Sequence, residues 1–248
     1  MAWSAAEPAL TIGEQVAARG RAVTLGALLL LAALAWAYLL SGAAMAASGS
    51  SHLAAGIVMW WVMMVAMMIP AAAPTILLFA RVHRHSSDTP PPTGAFLAGY
   101  LACWLGFSMI AALLEAALQR GGALVPMVGA LRSAQTAGAI SIAAGLYQLT
   151  SAKDSCLTEC RSPAGFLSRH FRPGAAGALR LGLLHGAYCV GCCWLLMALL
   201  FVAGVMNLAF VAALTLLVAA EKLLPYGRAL ARFGGVLLLV AGVALLLR

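Results

Sequence analysis

Charge is what this sequence has least of. Charged residues make up 9% of its 248 positions, and only 7 residues are acidic. Soluble domains carry roughly 25% charged residues, so a water-soluble globular class is excluded. A basic, aromatic-interleaved surface of the kind nucleic-acid modules use is also missing. The net charge of +8 is therefore not a sign of DNA or RNA binding. No internal repeat is evident, and the 6 cysteines do not follow a zinc-finger spacing. What fills the chain instead is apolar: 64% of residues. That composition predicts an all-α fold, a polytopic helical bundle whose surroundings are a lipid bilayer.

Seven apolar segments are long enough to count as spans, at about 22–40, 53–79, 94–117, 134–150, 181–205, 207–220 and 233–247. Glu115 is expected to mark the end of the third, and a polar loop to fill 151–180. Ala44-Met45-Ala46 resembles a signal-peptidase site, but the apolar run before it exceeds the usual signal length of about 7–15 residues, which favours an uncleaved span. With the N-terminus in the cytoplasm, Arg19, Arg21, Arg81, Arg84, Lys153, Arg161, Arg169, Arg172, Arg180, Lys222, Arg228 and Arg232 fall inside. Only Arg120, Arg132 and Arg248 fall outside. Positive residues concentrate on the cytoplasmic side of membrane proteins, so this orientation is expected. The chain reads as one integral membrane domain over 1–248.

The most informative stretch is His185-Gly186-Ala187-Tyr188-Cys189-Val190-Gly191-Cys192-Cys193-Trp194. Helical periodicity puts His185, Cys189 and Cys192 on one stripe, with Cys193 a quarter-turn round. Thiols and an imidazole on one stripe are soft-metal ligands. The alternative is that each cysteine is a small, well-buried apolar residue. Gly182 and Gly186 form a step of small residues by which another helix approaches closely, whether for packing alone or for function.

Three further groups carry candidate chemistry. Met63 and Met67 belong to a methionine row at i, i+4 spacing on the second span, with Met59 before them. Thioethers suit Cu(I) and not Mg or Ca; the competing account is apolar packing. Pro70 should kink this span. Cys156 and Cys160 are spaced to share one face if helical, as a metal-bridging pair or a thiol switch. Asp154 beside them is a candidate polar contributor or part of a solvated face. Glu221 ends the sixth span, as a functional carboxylate or as an interfacial partner of Lys222.

The set Met63-Met64-Val65-Ala66-Met67-Met68-Ile69-Pro70, Tyr147-Gln148, Lys153, Cys156, Cys160, Arg161-Ser162-Pro163, the Gly186–Trp194 motif, Gly204-Val205-Met206-Asn207 and Glu221-Lys222-Leu223-Leu224-Pro225 resembles a bacterial family of predicted metal-binding integral membrane proteins, a domain-of-unknown-function family. The resemblance runs from about Met59 to Pro225 and leaves the first and last spans outside. It implies a multi-span fold and metal binding, in a bacterial inner membrane, and supplies no reaction.

The resulting expectation is a membrane protein that binds a soft metal, Cu(I) first and zinc second, for handling, transfer or transport. Its partners would be a soluble copper carrier or a copper-enzyme assembly protein. No catalytic residue is assigned. Cys156 and Cys160 are expected as an outer rung at the cytoplasmic face, with His185, Cys189, Cys192, Cys193 and Met67 progressively deeper. The alternative is a membrane thiol–disulfide oxidoreductase using the loop and helix cysteines.

Overall fold

The computed structural model describes residues 12–42, 53–86 and 91–247, with backbone alone for 12–19 and 85–86. Ala44-Met45-Ala46 and Arg248 lie outside these residues. The described chain is all-α; its only β feature is an isolated antiparallel bridge between Leu124 and Leu131. Helix α1 (Ile12–Leu40) lies against α2 (Leu53–Ser86), and α2 packs on α3 (Thr93–Arg120). After α4 (Ala134–Gln148) come two short helices, α5 (Ser151–Arg161) and α6 (Pro163–His170). Helix α7 (Gly174–Ala198) pairs with α3 and carries α5 along its side. A short helix α8 (Leu200–Ala203) precedes α9 (Leu208–Leu223), which packs on α2 and on the last helix, α10 (Gly227–Leu246). Helix α10 pairs mainly with α4.

Five helical stretches are long and apolar enough to cross a membrane: Gly20–Leu40, Leu53–Arg84, Thr93–Arg120, Gly174–Ala203 and Gly227–Leu246. The other two expected spans form helices of 15 and 16 residues, α4 and α9. At about 1.5 Å per residue these reach roughly 22–24 Å, short of a hydrocarbon core of about 30 Å. Local chemistry sets their ends. The Ser133 hydroxyl accepts from the Thr136 amide at the start of α4. Asn207 does the same for Phe210 at the start of α9, and Pro225 follows its end. Gly204, between α8 and α9, has φ +100°, and a Cβ there would stand 2.8 Å from Val128 Cγ1.

Several boundaries differ from expectation. The 151–180 segment is not a loop but α5, α6 and the first turns of α7. Thr150 starts α5 by accepting from the Lys153 amide, and Pro163 opens α6, where its missing N–H costs no helical bond. Helix α3 runs past Glu115 to Arg120. Glu115 is buried inside it and accepts from Trp60 Nε1 at 2.6 Å and from Gln119 Nε2 at 3.1 Å. Both Pro70 and Pro74 lie within α2.

The pairing of α3 with α7 positions the site. A Cβ on Gly182 would collide with the Phe96 carbonyl and approach the Tyr100 amide to 3.0 Å. On the facing helix, a Cβ on Gly99 would stand 2.9 Å from the Leu183 amide. Backbones this close leave no room for side chains at the crossing. They bring Tyr100 on α3 directly over the cysteine turn of α7.

Candidate metal site

Cys189, Cys192 and Cys193 are each 1% exposed on α7. The Cys192 and Cys193 thiols both donate back to the Cys189 carbonyl, at 3.1 and 2.9 Å. That bond to the preceding turn is the ordinary resting state of a helical side chain with a donor. It folds the three sulfurs toward one another. A fourth thiol comes from α5, where Cys160 is buried. Cys160 and Cys193 each interact electrostatically with the Cys189 and Cys192 thiols. All six cysteines are free thiols.

Two more side chains converge on Cys189. The Lys222 ammonium, at the end of α9, donates to its sulfur at 2.9 Å. The Tyr100 hydroxyl is hydrogen-bonded to the same sulfur at 3.1 Å and donates to the Met68 carbonyl of α2 at 3.3 Å. Helices α3, α7 and α9 thus meet at one sulfur, and Tyr100 ties α2 to them. One turn away, His185 is 2% exposed and stacked among the rings of Phe96, Tyr100 and Phe166, whose centroids lie 6.1, 5.7 and 5.2 Å from its own. Its Nδ1 has no hydrogen-bond partner. A buried imidazole nitrogen with an idle lone pair or proton is uncommon.

Among the described residues, no three His, Cys, Asp or Glu side chains are already disposed as a metal cage. Pairs of thiolates suffice for a soft monovalent ion, whereas a structural zinc site closes with four ligands. The residues present are those of a soft-metal ligand set.

A second polar cluster lies beside the first. Lys153 on α5 is fully buried, and its ammonium donates to Glu221 Oε2 at 2.6 Å and to Gln148 Oε1. Gln148 Nε2 closes the ring by donating to Glu221 Oε1 at 2.8 Å. Arg161 donates to the Glu221 and Pro225 carbonyls at 2.6 and 2.9 Å, which satisfies the open end of α9. Glu221 is thus the partner of Lys153, not of Lys222 as its neighbour in sequence suggested.

The remaining candidates divide. Cys156 is half-buried with its sulfur against Gly191, where a Cβ would stand 2.9 Å from it. It lies alongside α7 at the level of the cysteine turn. Burial pushes the Cys156 thiol above its ordinary value, and Cys192 and Glu159 add to the shift. Asp154 faces outward and pairs with Arg232 at 3.4 Å. Met63 and Met67 are buried along α2, and Tyr100 links that helix to Cys189. Cys103 packs over Gly186, 3.2 Å from where a Cβ would sit. Sequence reasoning missed Tyr100, one of several aromatic residues in an apolar run. It also missed Lys222, although consecutive helical positions point about 100° apart and so Glu221 and Lys222 face different neighbours.

The class these features define is an all-α protein of long apolar helices enclosing a cluster of reduced thiols. The chain belongs to the PpoB2 family, described as a copper chaperone, whose family model matches residues 57–245. The match takes in the last helix, α10, which the motif resemblance had left out. Neither a curated protein nor a solved structure matches the chain.

Proposed function

We propose that the protein is an integral membrane copper chaperone that carries Cu(I) as cargo on a buried thiol pair. The observation that carries this reading is the convergence of Cys160, buried on α5, with Cys189 and Cys192, buried on the helix α7 that α5 packs against. Sulfurs brought together from separate helices are a ligand set, whereas sulfurs scattered as packing have no reason to meet. Cys189 and Cys192 are the primary ligands, Cys160 and Cys193 their exchange partners, and His185 a weaker nitrogen ligand one turn away. Each thiol loses its proton as it binds the metal. The ion then passes between sulfurs by adding the incoming ligand before the outgoing one leaves, so it is never bare in an apolar interior. Met63 and Met67 offer neutral sulfur further along the same bundle. Five long apolar helices support the membrane assignment, with α4 and α9 as shorter companions. The donor or acceptor is a soluble copper carrier or a copper-enzyme assembly partner.

The test is copper stoichiometry on the purified chain, reconstituted under reducing conditions, with X-ray absorption at the copper edge. One Cu(I) per chain in a sulfur shell is the expected result. A metal-free protein whose clustered thiols cycle with a disulfide would replace this reading with thiol–disulfide exchange.

Orientation and access are tested together. In this reading Cys156 is the outermost sulfur and lies on the cytoplasmic side, because five of the twelve inside cations fall in 151–180. In a Cys103→Ser background, an impermeant maleimide should label Cys156 in inside-out vesicles but not in intact cells. Since burial disfavours its thiolate, labelling at pH 7 should be slower than for a free cysteine and should accelerate as pH rises. Labelling from outside intact cells would reverse the assigned topology.

A further inference from the structure

Glu221 and Lys222 are adjacent, yet their charges are used differently. The Glu221 carboxylate is saturated by Lys153 and Gln148, so the buried pair Lys153–Glu221 is neutral in sum. Lys222 is left with no share in it. Its residue is 6% exposed, and the hydrogen bond of its ammonium goes to the Cys189 sulfur at 2.9 Å. A lysine held away from water with sulfur in place of a carboxylate is a costly arrangement unless something at the sulfur supplies the missing negative charge.

We infer that Lys222 is a specificity-determining residue that admits monovalent soft ions and rejects divalent ones. The inference rests on the copper reading above and deepens it. Two thiolates around Cu(I) or Ag(I) carry a net single negative charge, and Lys222 brings the buried site to neutrality. Two thiolates around Zn(II) are already neutral, so the same lysine leaves the site with an uncompensated positive charge. A third thiolate would restore the balance for zinc, but among the described residues no three such side chains are disposed as a cage. Selectivity follows from counting charge as much as from the softness of sulfur. Lys222 touches the ligand and not the ion, so it acts through Cys189.

The experiment uses the full chain in detergent or nanodiscs. It is equilibrated with Cu(I) buffered by a chromophoric Cu(I) chelator and with Zn(II) in excess, and the bound metals are then counted. Wild-type protein should take up Cu(I), accept Ag(I) in its place, and hold Zn(II) far more weakly. Lys222→Met keeps the apolar stem and removes the charge. It should narrow the Cu(I)-to-Zn(II) preference by about tenfold or more, because a unit charge near the ligands is lost from a low-dielectric site. Lys222→Arg should keep the wild-type ratio, an outcome that a purely structural lysine would not separate from Lys222→Met. An unchanged ratio in Lys222→Met overturns the inference. So does wild-type protein that binds Zn(II) on Cys189 and Cys192 as tightly as Cu(I), a result that needs no folded variant. Wild-type protein that binds no Cu(I) at all removes the copper reading itself, whereas Cu(I) binding with an unmoved ratio removes only the role of Lys222.

Discussion

Replacing Cys189 and Cys192 with serine should leave less than about a tenth of the copper bound by the wild-type chain. Serine nearly matches cysteine in shape but is a poor soft-metal ligand. The fold should survive, because a serine hydroxyl at 189 can still accept from Lys222 and hydrogen-bond Tyr100, as the sulfur does now. Serine at 192 can still donate to the Cys189 carbonyl, as its thiol does. Cys103→Ser is the control. That residue faces Gly186 across the α3–α7 crossing and should retain nearly all bound copper. The measurement is copper per chain by elemental analysis after the same Cu(I) loading, beside a thermal melt of each variant. Equal copper in the double variant and in Cys103→Ser would make the α7 cysteines packing residues.

The largest loss of stability is expected at the other polar cluster. Glu221→Gln keeps the shape of the side chain and leaves the Lys153 ammonium buried without its carboxylate. Breaking a buried pair from one side typically costs about 3–5 kcal/mol, far more than the net worth of the pair itself. The residue is sealed here: the exposures of Lys153 and Glu221 are 0% and 2%, so water cannot relieve the charge. Lys153→Met added to Glu221→Gln removes the stranded cation and leaves an amide opposite Gln148. The double variant should therefore recover to within about 1–2 kcal/mol of wild type, which is a strong coupling between the sites. Unfolding followed by circular dichroism in a denaturing-detergent titration reads the difference. A single variant as stable as wild type would mean that water reaches Lys153 after all.

The two clusters show how far the sequence could be read. The stripe of His185, Cys189 and Cys192 was legible because a helix repeats every 3.6 residues, and α7 is a regular helix there. Cys160 was legible as a candidate but not as a neighbour of Cys189, since that contact depends on α5 lying along α7. Nothing local in a polar stretch announces where it docks. The polarity of that stretch predicts a loop, whereas it is an amphipathic helix with Leu157 and Cys160 turned inward. The lengths of α4 and α9 are close to expectation, and their capped ends hold both short of a full span. The separate partners of Glu221 and Lys222 are not legible, because adjacency in the chain does not say which helix each side chain meets.

The ring formed by Gln148, Lys153 and Glu221 has a consequence for how this protein can change over generations. Each member sits near the end of a different helix, α4, α5 or α9, and each satisfies the other two. A lone substitution at Lys153 or Glu221 strands a charge, and one at Gln148 opens a gap between them. Such positions drift together or not at all. Descendants of this chain should therefore carry the three residues intact or have exchanged them as a set, while solvent-facing neighbours such as Ser155 vary independently.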